Sequence, residues 1–76
     1  RVLLVEDDVA LAAGLRTALR PEGHAVDWLA DGLAALEALR RQPYDLVVLD
    51  IGLPGADGLT VLHRLRALGN GVPVLL

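Results

Sequence analysis

The sequence predicts an α/β fold, a doubly wound parallel sheet with helices on both faces. Short apolar runs alternate with segments whose apolar residues recur at helical spacing, so the predicted order is β-α-β-α-β-α-β. The first and third strand segments are apolar on both faces, which is typical of parallel strands buried between layers of helices. Right-handed crossovers then leave few possible topologies.

The first predicted strand is the run VLLV, residues 2–5, which is followed directly by three acidic residues. A helix is predicted over residues 9–20, with Asp8 as its N-cap and Pro21 ending it. We expect its core face to consist of Leu11, Leu15, Ala18 and Leu19.

The second strand is predicted in the segment HAVDWLA, residues 24–30, in which apolar and polar side chains alternate. Asp31 is well placed to cap a second helix, which stops before Pro43. The apolar stripe of that helix is expected to consist of Leu33, Leu36 and Leu39.

The second half of the chain contains the third and fourth predicted strands. The segment DLVVLD, residues 45–50, is short, rich in apolar residues and apolar on both faces. A third helix is predicted over residues 58–68, and the glycines of GNG, residues 69–71, form its C-terminal cap. Its expected core residues are Leu59, Leu62 and Leu65. The segment VPVLL, residues 72–76, is the last predicted strand.

Length and composition limit the possible functions. A chain of 76 residues that is 54% hydrophobic has enough apolar residues for the core of one domain. The net charge of −3 argues against nucleic-acid contact by this segment, because nucleic-acid-binding domains usually carry a basic excess. With no cysteine there is neither a disulfide framework nor a thiolate metal site. No apolar run approaches the length of a membrane span, so we expect no membrane partner.

Three acidic residues follow predicted strands. Glu6 and Asp7 come directly after strand one, and Asp50 ends strand three. Ligand sites in such sheets lie outside the carboxyl ends of the strands. If strands one and three are neighbours, three carboxylates therefore meet, and each like-charge pair costs about 3 kcal/mol at an effective dielectric near 20. A hard divalent cation would offset this repulsion, and Mg²⁺ fits best.

A metal-bound site also gives Asp50 a chemical role. A carboxylate that shares a metal with an incoming phosphoryl group can attack phosphorus as a nucleophile. The product would be an acyl phosphate on Asp50. The loop after Asp50 contains glycines and a proline, which allow a sharp turn, and we expect it to aim the carbonyl of Gly52 at the metal.

The segments VLLVEDD and YDLVVLDIGLPGADG together resemble the receiver domain of two-component response regulators. The shared pattern is an acidic pair after strand one and a D-x-x-x-P-x-x-D-G motif after strand three, which here starts at Asp50 and ends at Gly58. The segment GHAVDWLADG is similar to strand two and the start of the following helix in receiver domains of the OmpR-like, winged-helix branch. The resemblance covers the whole chain and implies a flavodoxin-like sheet of order 2-1-3-4.

The resemblance also implies roles for individual residues. Asp50 would be the phosphoacceptor, Asp7 a direct ligand of Mg²⁺, Glu6 a ligand through water, and the Gly52 carbonyl the backbone ligand. A histidine kinase would donate the phosphoryl group, and an attached DNA-binding output domain would respond to it in the cytoplasm. The domain would not be an enzyme beyond self-catalysed phosphotransfer and dephosphorylation.

The family fold has five strands and five helices, so residues 1–76 are expected to form a single, incomplete receiver domain without strand five and the last helices. The family's Ser or Thr after strand four and its Lys at the end of strand five would lie beyond Leu76. Strand four would then be an open edge, and we expect the isolated chain to self-associate or to fold loosely.

Other interpretations remain open at this stage. A pseudo-receiver would bind partner proteins without phosphorylation, but the retained acidic residues argue against it. A phosphatase of the haloacid-dehalogenase type would need a second acid two residues after Asp50, where this sequence has Gly52. Asp8, Asp31 and Asp57 are interpreted as helix caps. His24 and His63 are interpreted as structural or solvated, and Trp28 as part of the core near the sheet edge.

Overall fold

The computed structural model describes all residues from 1 to 76 as four strands and three α-helices, with one short 3₁₀ turn at Arg20–Glu22. The elements in chain order are β1 (Val2–Val5), α1 (Val9–Leu19), β2 (Val26–Leu29), α2 (Gly32–Arg41), β3 (Leu46–Leu49), α3 (Gly58–Ala67) and β4 (Val74–Leu75). All strands are parallel, in the order β2-β1-β3-β4. The predicted fold class and strand order are therefore confirmed. None of the helices has the length and apolarity that a membrane crossing requires.

The first strand has its predicted bounds, and the other three are shorter than predicted because a strand extends only as far as its neighbour pairs with it. The β1–β2 pairing runs from Val2 opposite Val26 to Val5 opposite Leu29, so β2 covers only the centre of the predicted segment. Only two residues of β4, Val74 and Leu75, pair with β3. The outer edge of β4 has no neighbouring strand, and Leu75 is 59% exposed.

The two faces of the sheet are covered by different helices. Leu3, Val5, Val47 and Leu49 belong to one core cluster with residues of α2 and α3. The alternate residues point to the opposite face, because side chains alternate along a strand. Val2 and Leu4 are buried there, on the side of α1, whereas Leu46 and Val48 of β3 are only half-buried. The sheet is therefore doubly wound, with an open region beside β3 and β4.

The predicted core face of α1 was partly wrong. Leu11 is 52% exposed and Ala18 is exposed, while the fully buried residue is Ala12. The face that meets the sheet consists of Ala12, Leu15, Arg16 and Leu19. The Arg16 guanidinium lies 5.3 Å from the centre of the Trp28 ring. An arginine beside an aromatic ring is therefore part of a face for which only apolar residues were predicted.

Helices α2 and α3 begin with the same tripeptide, Asp-Gly-Leu, and it has the same structure in both. The aspartate caps the helix, and the glycine after it is buried. The leucine in third place, Leu33 or Leu59, is about half exposed, so its predicted core position was wrong. The buried faces instead contain Ala35 and Leu39 in α2, and Val61 and Leu65 in α3.

A polar network lies at the amino end of the sheet, where the strands begin. Asp27 Oδ2 accepts hydrogen bonds from the Tyr44 hydroxyl at 2.7 Å and from Arg1 Nε at 3.0 Å. The Tyr44 bond is the largest contribution that lowers the pKa of Asp27. Burial, and next the Asp27 carboxylate, raise the pKa of Tyr44, so the hydroxyl stays protonated and donates. Gln42 Nε2 donates to the same hydroxyl oxygen at 2.8 Å.

The close approach at Gly32 predicts opposite effects for the same substitution at two glycines. A Cβ on Gly32 would lie 1.9 Å from the Ala56 carbonyl oxygen, whereas a Cβ on Gly14, within α1, would meet no atom within 4 Å. We expect Gly32→Ala to lower the free energy of unfolding by about 1–3 kcal/mol through overpacking. Gly14→Ala should raise it by about 0.5–1 kcal/mol, because alanine favours the helix. Urea unfolding measures both, and equal effects at the two sites would contradict the packing.

The bond between Tyr44 and Asp27 predicts a pH-dependent effect of Tyr44→Phe. Loss of one hydrogen bond should lower stability at pH 7 by about 1 kcal/mol. The folded pKa of Asp27 lies below its ordinary value of 3.8, so its contribution is present above that pH and is lost as the pH falls through the folded pKa. The difference in melting temperature between the wild type and the variant should therefore shrink below pH 3.8. A difference that grows on acidification would be inconsistent with this network.

Candidate functional site

The three acidic residues singled out in the sequence lie together at the carboxyl end of the sheet. Strands β1 and β3 are neighbours, and Val5 pairs with Leu49, so the residues after them emerge side by side. The Asp50 amide donates to the Val5 carbonyl at 3.0 Å, which extends this pairing by one bond. One carboxylate oxygen from each of Glu6, Asp7 and Asp50 lies within 4.8 Å of the other two.

The three side chains differ in their exposure. Glu6 is buried, at 8% exposure, Asp50 is half-buried, and Asp7 is exposed. The Glu6 carboxylate accepts a hydrogen bond from the Asp8 amide at 3.1 Å. The Glu6 backbone amide donates to the Leu29 carbonyl at 3.0 Å. Glu6 is therefore held at its backbone by β2 and at its side chain by the first residues of the turn into α1.

No basic side chain neutralises this cluster. The salt bridges of the structure join Arg1, Arg40 and Arg41 to acids elsewhere. Like charges 4.8 Å apart repel by about 3 kcal/mol at an effective dielectric of 20, and less at the exposed Asp7 because solvent screens it. The side-chain donors are all carboxylate oxygens, which suits a hard cation such as Mg²⁺. The residues present thus fit the predicted metal.

The loop after Asp50 is held tightly at both ends. A Cβ on Gly58 would lie 2.4 Å from the Asp50 carbonyl oxygen, so only glycine lets α3 start against the backbone of Asp50. The Gly58 amide donates to the Ile51 carbonyl at 2.8 Å. Near the middle of the loop, the Pro54 carbonyl accepts from the Gly32 amide at 3.1 Å, which ties the loop to the start of α2.

The tip of the loop requires glycine for a different reason. Gly55 has φ of +80°, a left-handed conformation, and a Cβ there would lie 2.7 Å from Asp31 Oδ2. Gly52, by contrast, is exposed, and a Cβ on it would meet no atom within 4 Å. Sequence reasoning identified the loop as a turn but missed the close approaches of Gly55 and Gly58, which depend on where α2 and the Asp50 backbone lie.

The other acidic residues lie outside the cluster, as predicted. Asp8, Asp31 and Asp57 each accept a hydrogen bond from the amide of the residue three places later, which is the geometry of an N-cap. The backbone hydrogen bond from Thr60 lowers the pKa of Asp57 below its ordinary range. His24 and His63 are exposed.

Trp28 has a contact that the sequence reading missed. It is half-buried near the sheet edge, as expected, but its indole Nε1 also donates to the Glu6 carbonyl oxygen at 2.8 Å. A half-buried tryptophan N–H usually has an acceptor, and this is the one signal that could have indicated the contact. The identity of the acceptor depends on the sheet register, which the sequence alone did not define.

The three cavities of the structure are lined by residues of α2, α3 and β4 and of the segment after α3, and none contains an acidic residue of the cluster. The largest has a volume of about 490 Å³. The acidic cluster is therefore an open site on the surface and not the floor of a deep pocket. Such a site is accessible to an ion and to a group carried by another protein.

Comparisons with known sequences identify the family. A model described as the response regulator receiver domain matches residues 2–76. The response regulator protein PmrA of Pseudomonas aeruginosa is 53% identical over 76 residues, with 100% of this chain and 34% of PmrA covered. The transcriptional regulatory protein QseB of Escherichia coli O157:H7 is 45% identical over 76 residues, with 100% and 35% covered. The chain spans about a third of the length of these curated relatives.

Solved structures agree with this assignment. The receiver domain of a sensor histidine kinase from Pseudomonas aeruginosa, with magnesium coordinated in the active site cleft, matches with a TM-score of 0.91 and 37% identity, covering 96% of this chain and 62% of that chain. TrrA of Thermotoga maritima in complex with Mg(2+)-BeF matches with a TM-score of 0.93 and 34% identity, covering 100% and 66%. The complex of histidine kinase ThkA with TrrA matches with a TM-score of 0.89 and 34% identity, covering 97% and 64%.

The OmpR-like resemblance is also confirmed, because the curated relatives are transcriptional regulators of that family. The phosphatase alternative has no support from these comparisons. With the family model matching residues 2–76 and the acidic residues gathered at the end of the sheet, the chain belongs to the receiver domains of two-component response regulators.

Proposed function

We propose that this receiver domain accepts a phosphoryl group from a histidine kinase on Asp50. The observation that carries the proposal is the meeting of three carboxylate oxygens within 4.8 Å, without a basic side chain between them. A fold of this size has little stability to lose to such repulsion. A function that needs the negative charge is therefore a better explanation of the cluster than chance.

We propose that Glu6, Asp7, Asp50 and the carbonyl of Gly52 bind Mg²⁺. Asp7 is the exposed carboxylate and would be a direct ligand, whereas the buried Glu6 would act through water. The Gly52 carbonyl accepts no hydrogen bond within the protein, so it is free to bind the ion. A bound ion would supply positive charge to neutralise the transferring phosphoryl group.

The chain's own contribution is to hold the nucleophile. A carboxylate oxygen of Asp50 attacks phosphorus, and an oxygen–phosphorus bond forms as the bond to the kinase imidazole nitrogen breaks. The electron pair of the broken bond returns to that nitrogen, which takes up a proton. The contact between Gly58 and the Asp50 carbonyl, together with the Asp50 amide bond to Val5, fixes the backbone from which the carboxylate extends.

Three of the similar structures support these assignments by what they contain. One receiver domain has magnesium in its active site cleft, and TrrA has been crystallised both with Mg(2+)-BeF and with a histidine kinase. The likeness to TrrA covers 100% of this chain, so it includes the strands and loops that carry the acidic cluster.

The wider role is proposed from the curated relatives. PmrA is named a response regulator and QseB a transcriptional regulator, and both are about three times as long as this chain. We propose that residues 1–76 are part of a receiver domain whose phosphorylation controls a DNA-binding output domain in the cytoplasm. The unpaired edge of β4 is the surface at which we propose self-association of the isolated chain.

A small acyl-phosphate donor such as acetyl phosphate, with Mg²⁺ present, tests this function directly. We expect the protein to gain one phosphoryl group, mapped to Asp50 by mass spectrometry after chemical trapping. Asp50→Asn should abolish the gain, because an amide is a much weaker nucleophile than a carboxylate.

Asp57→Asn is the matched control, because Asp57 lies in the same motif but outside the acidic cluster, and asparagine also caps helices. It should be phosphorylated like the wild type. Phosphorylation that persists in Asp50→Asn would contradict the assignment. A folded wild-type protein that gains no phosphoryl group would favour the pseudo-receiver alternative.

A further inference from the structure

Trp28 connects β2 to the acidic cluster through a single hydrogen bond. Its indole Nε1 donates to the carbonyl oxygen of Glu6 at 2.8 Å, although the two residues are 22 positions apart in the chain. Glu6 is the first residue after β1, where the chain leaves the sheet and turns into α1. The bond therefore acts on the turn that carries both Glu6 and Asp7.

The carbonyl of Glu6 lies just beyond the regular β1–β2 pairing, which ends with Val5 opposite Leu29. The Glu6 amide still donates to the Leu29 carbonyl at 3.0 Å, but the strand then ends. The carbonyl of a buried residue at such a position needs a donor from elsewhere, because an unpaired buried polar group is costly. The Trp28 indole is that donor.

The indole is itself held in place from the other side. Trp28 pairs with Leu4 in the sheet, so its side chain lies on the same face as Leu4, the face covered by α1. The guanidinium of Arg16, from the last turn of α1, lies 5.3 Å from the centre of the ring. The ring is therefore fixed between a strand and a helix, and its N–H is aimed at the turn that joins β1 to α1.

We propose that Trp28 is a positioning residue for the acidic site. By holding the Glu6 carbonyl it fixes the backbone turn, so that the Glu6 and Asp7 carboxylates stay in the arrangement that binds the cation. This inference rests on the proposed function in one respect only, the identity of the bound ion. Without the indole bond, a smaller fraction of molecules has the binding geometry, and the apparent affinity falls by that fraction.

Trp28→Phe removes the N–H donor but keeps an aromatic ring for Arg16. The first readout is amide hydrogen exchange in the metal-free protein, because the Asp8 amide donates to the Glu6 carboxylate at 3.1 Å and reports on the turn. We expect exchange at Asp8 to become roughly two- to tenfold faster, the effect of losing one hydrogen bond. Amides within α3, on the other face of the sheet, should keep their rates.

The second readout is the affinity for Mg²⁺, measured by calorimetry because the variant lacks the fluorescent tryptophan. We expect the dissociation constant to rise by roughly two- to tenfold in Trp28→Phe. Tyr44→Phe is the matched control, since it also deletes one hydrogen bond from an aromatic donor, at 2.7 Å to Asp27 at the opposite end of the sheet. It should change neither Asp8 exchange nor the Mg²⁺ affinity.

The outcomes separate the two proposals. Unchanged exchange at Asp8 in Trp28→Phe would overturn the positioning role, and so would equal acceleration of every core amide, which indicates a general loss of stability. Absence of Mg²⁺ binding in the unsubstituted protein would contradict the proposed function alone. The exchange measurement tests the hydrogen bond from Trp28 to the Glu6 carbonyl in the absence of metal. Weaker Mg²⁺ binding confined to Trp28→Phe, together with faster exchange at Asp8, supports both.

Discussion

The pairing of β1 with β3 is the constraint on which the rest of this site depends. It places Glu6 and Asp7 beside Asp50 and forces three carboxylate oxygens to within 4.8 Å of one another. Hydrophobic burial of the two strands stabilises this approach, since Leu3, Val5, Val47 and Leu49 are almost fully buried. The sheet thus holds charges together that would separate in a flexible chain, and a cation that binds them offsets the remaining repulsion.

The turns around the cluster are fixed by backbone contacts more than by side chains. Gly58 allows α3 to begin against the Asp50 carbonyl, and Gly32 allows α2 to begin against Ala56. Both glycines follow a capping aspartate, so the repeated tripeptide Asp-Gly-Leu is a structural unit that starts a helix close to a loop. On the other side of the cluster, the Trp28 indole holds the turn after β1.

Much of the fold and of the acidic cluster could be predicted from the sequence. The alternation of apolar runs and helical segments predicted the doubly wound parallel sheet, and the receiver resemblance implied the strand order. With strands one and three as neighbours, their ends indicated where Glu6, Asp7 and Asp50 would meet. Helix faces were less predictable, because Leu33 and Leu59 resemble core residues until the buried glycines before them are known to face the loop. The Trp28 contact depends on three-dimensional register, which a single sequence does not contain.

The melting temperature of the wild type and of Asp7→Asn, each with and without Mg²⁺, tests the central claim most directly. Without the ion, the variant should melt higher, because the repulsion of Asp7 by Glu6 and by Asp50 has been removed. With Mg²⁺ at a hundredfold excess over its dissociation constant, the wild type should gain about 2.7 kcal/mol, and the variant much less. Trp28 fluorescence should follow the same titration. Two results would contradict the account. One is a wild-type melting temperature that does not change with Mg²⁺, and the other is an Asp7→Asn variant that melts below the wild type without Mg²⁺.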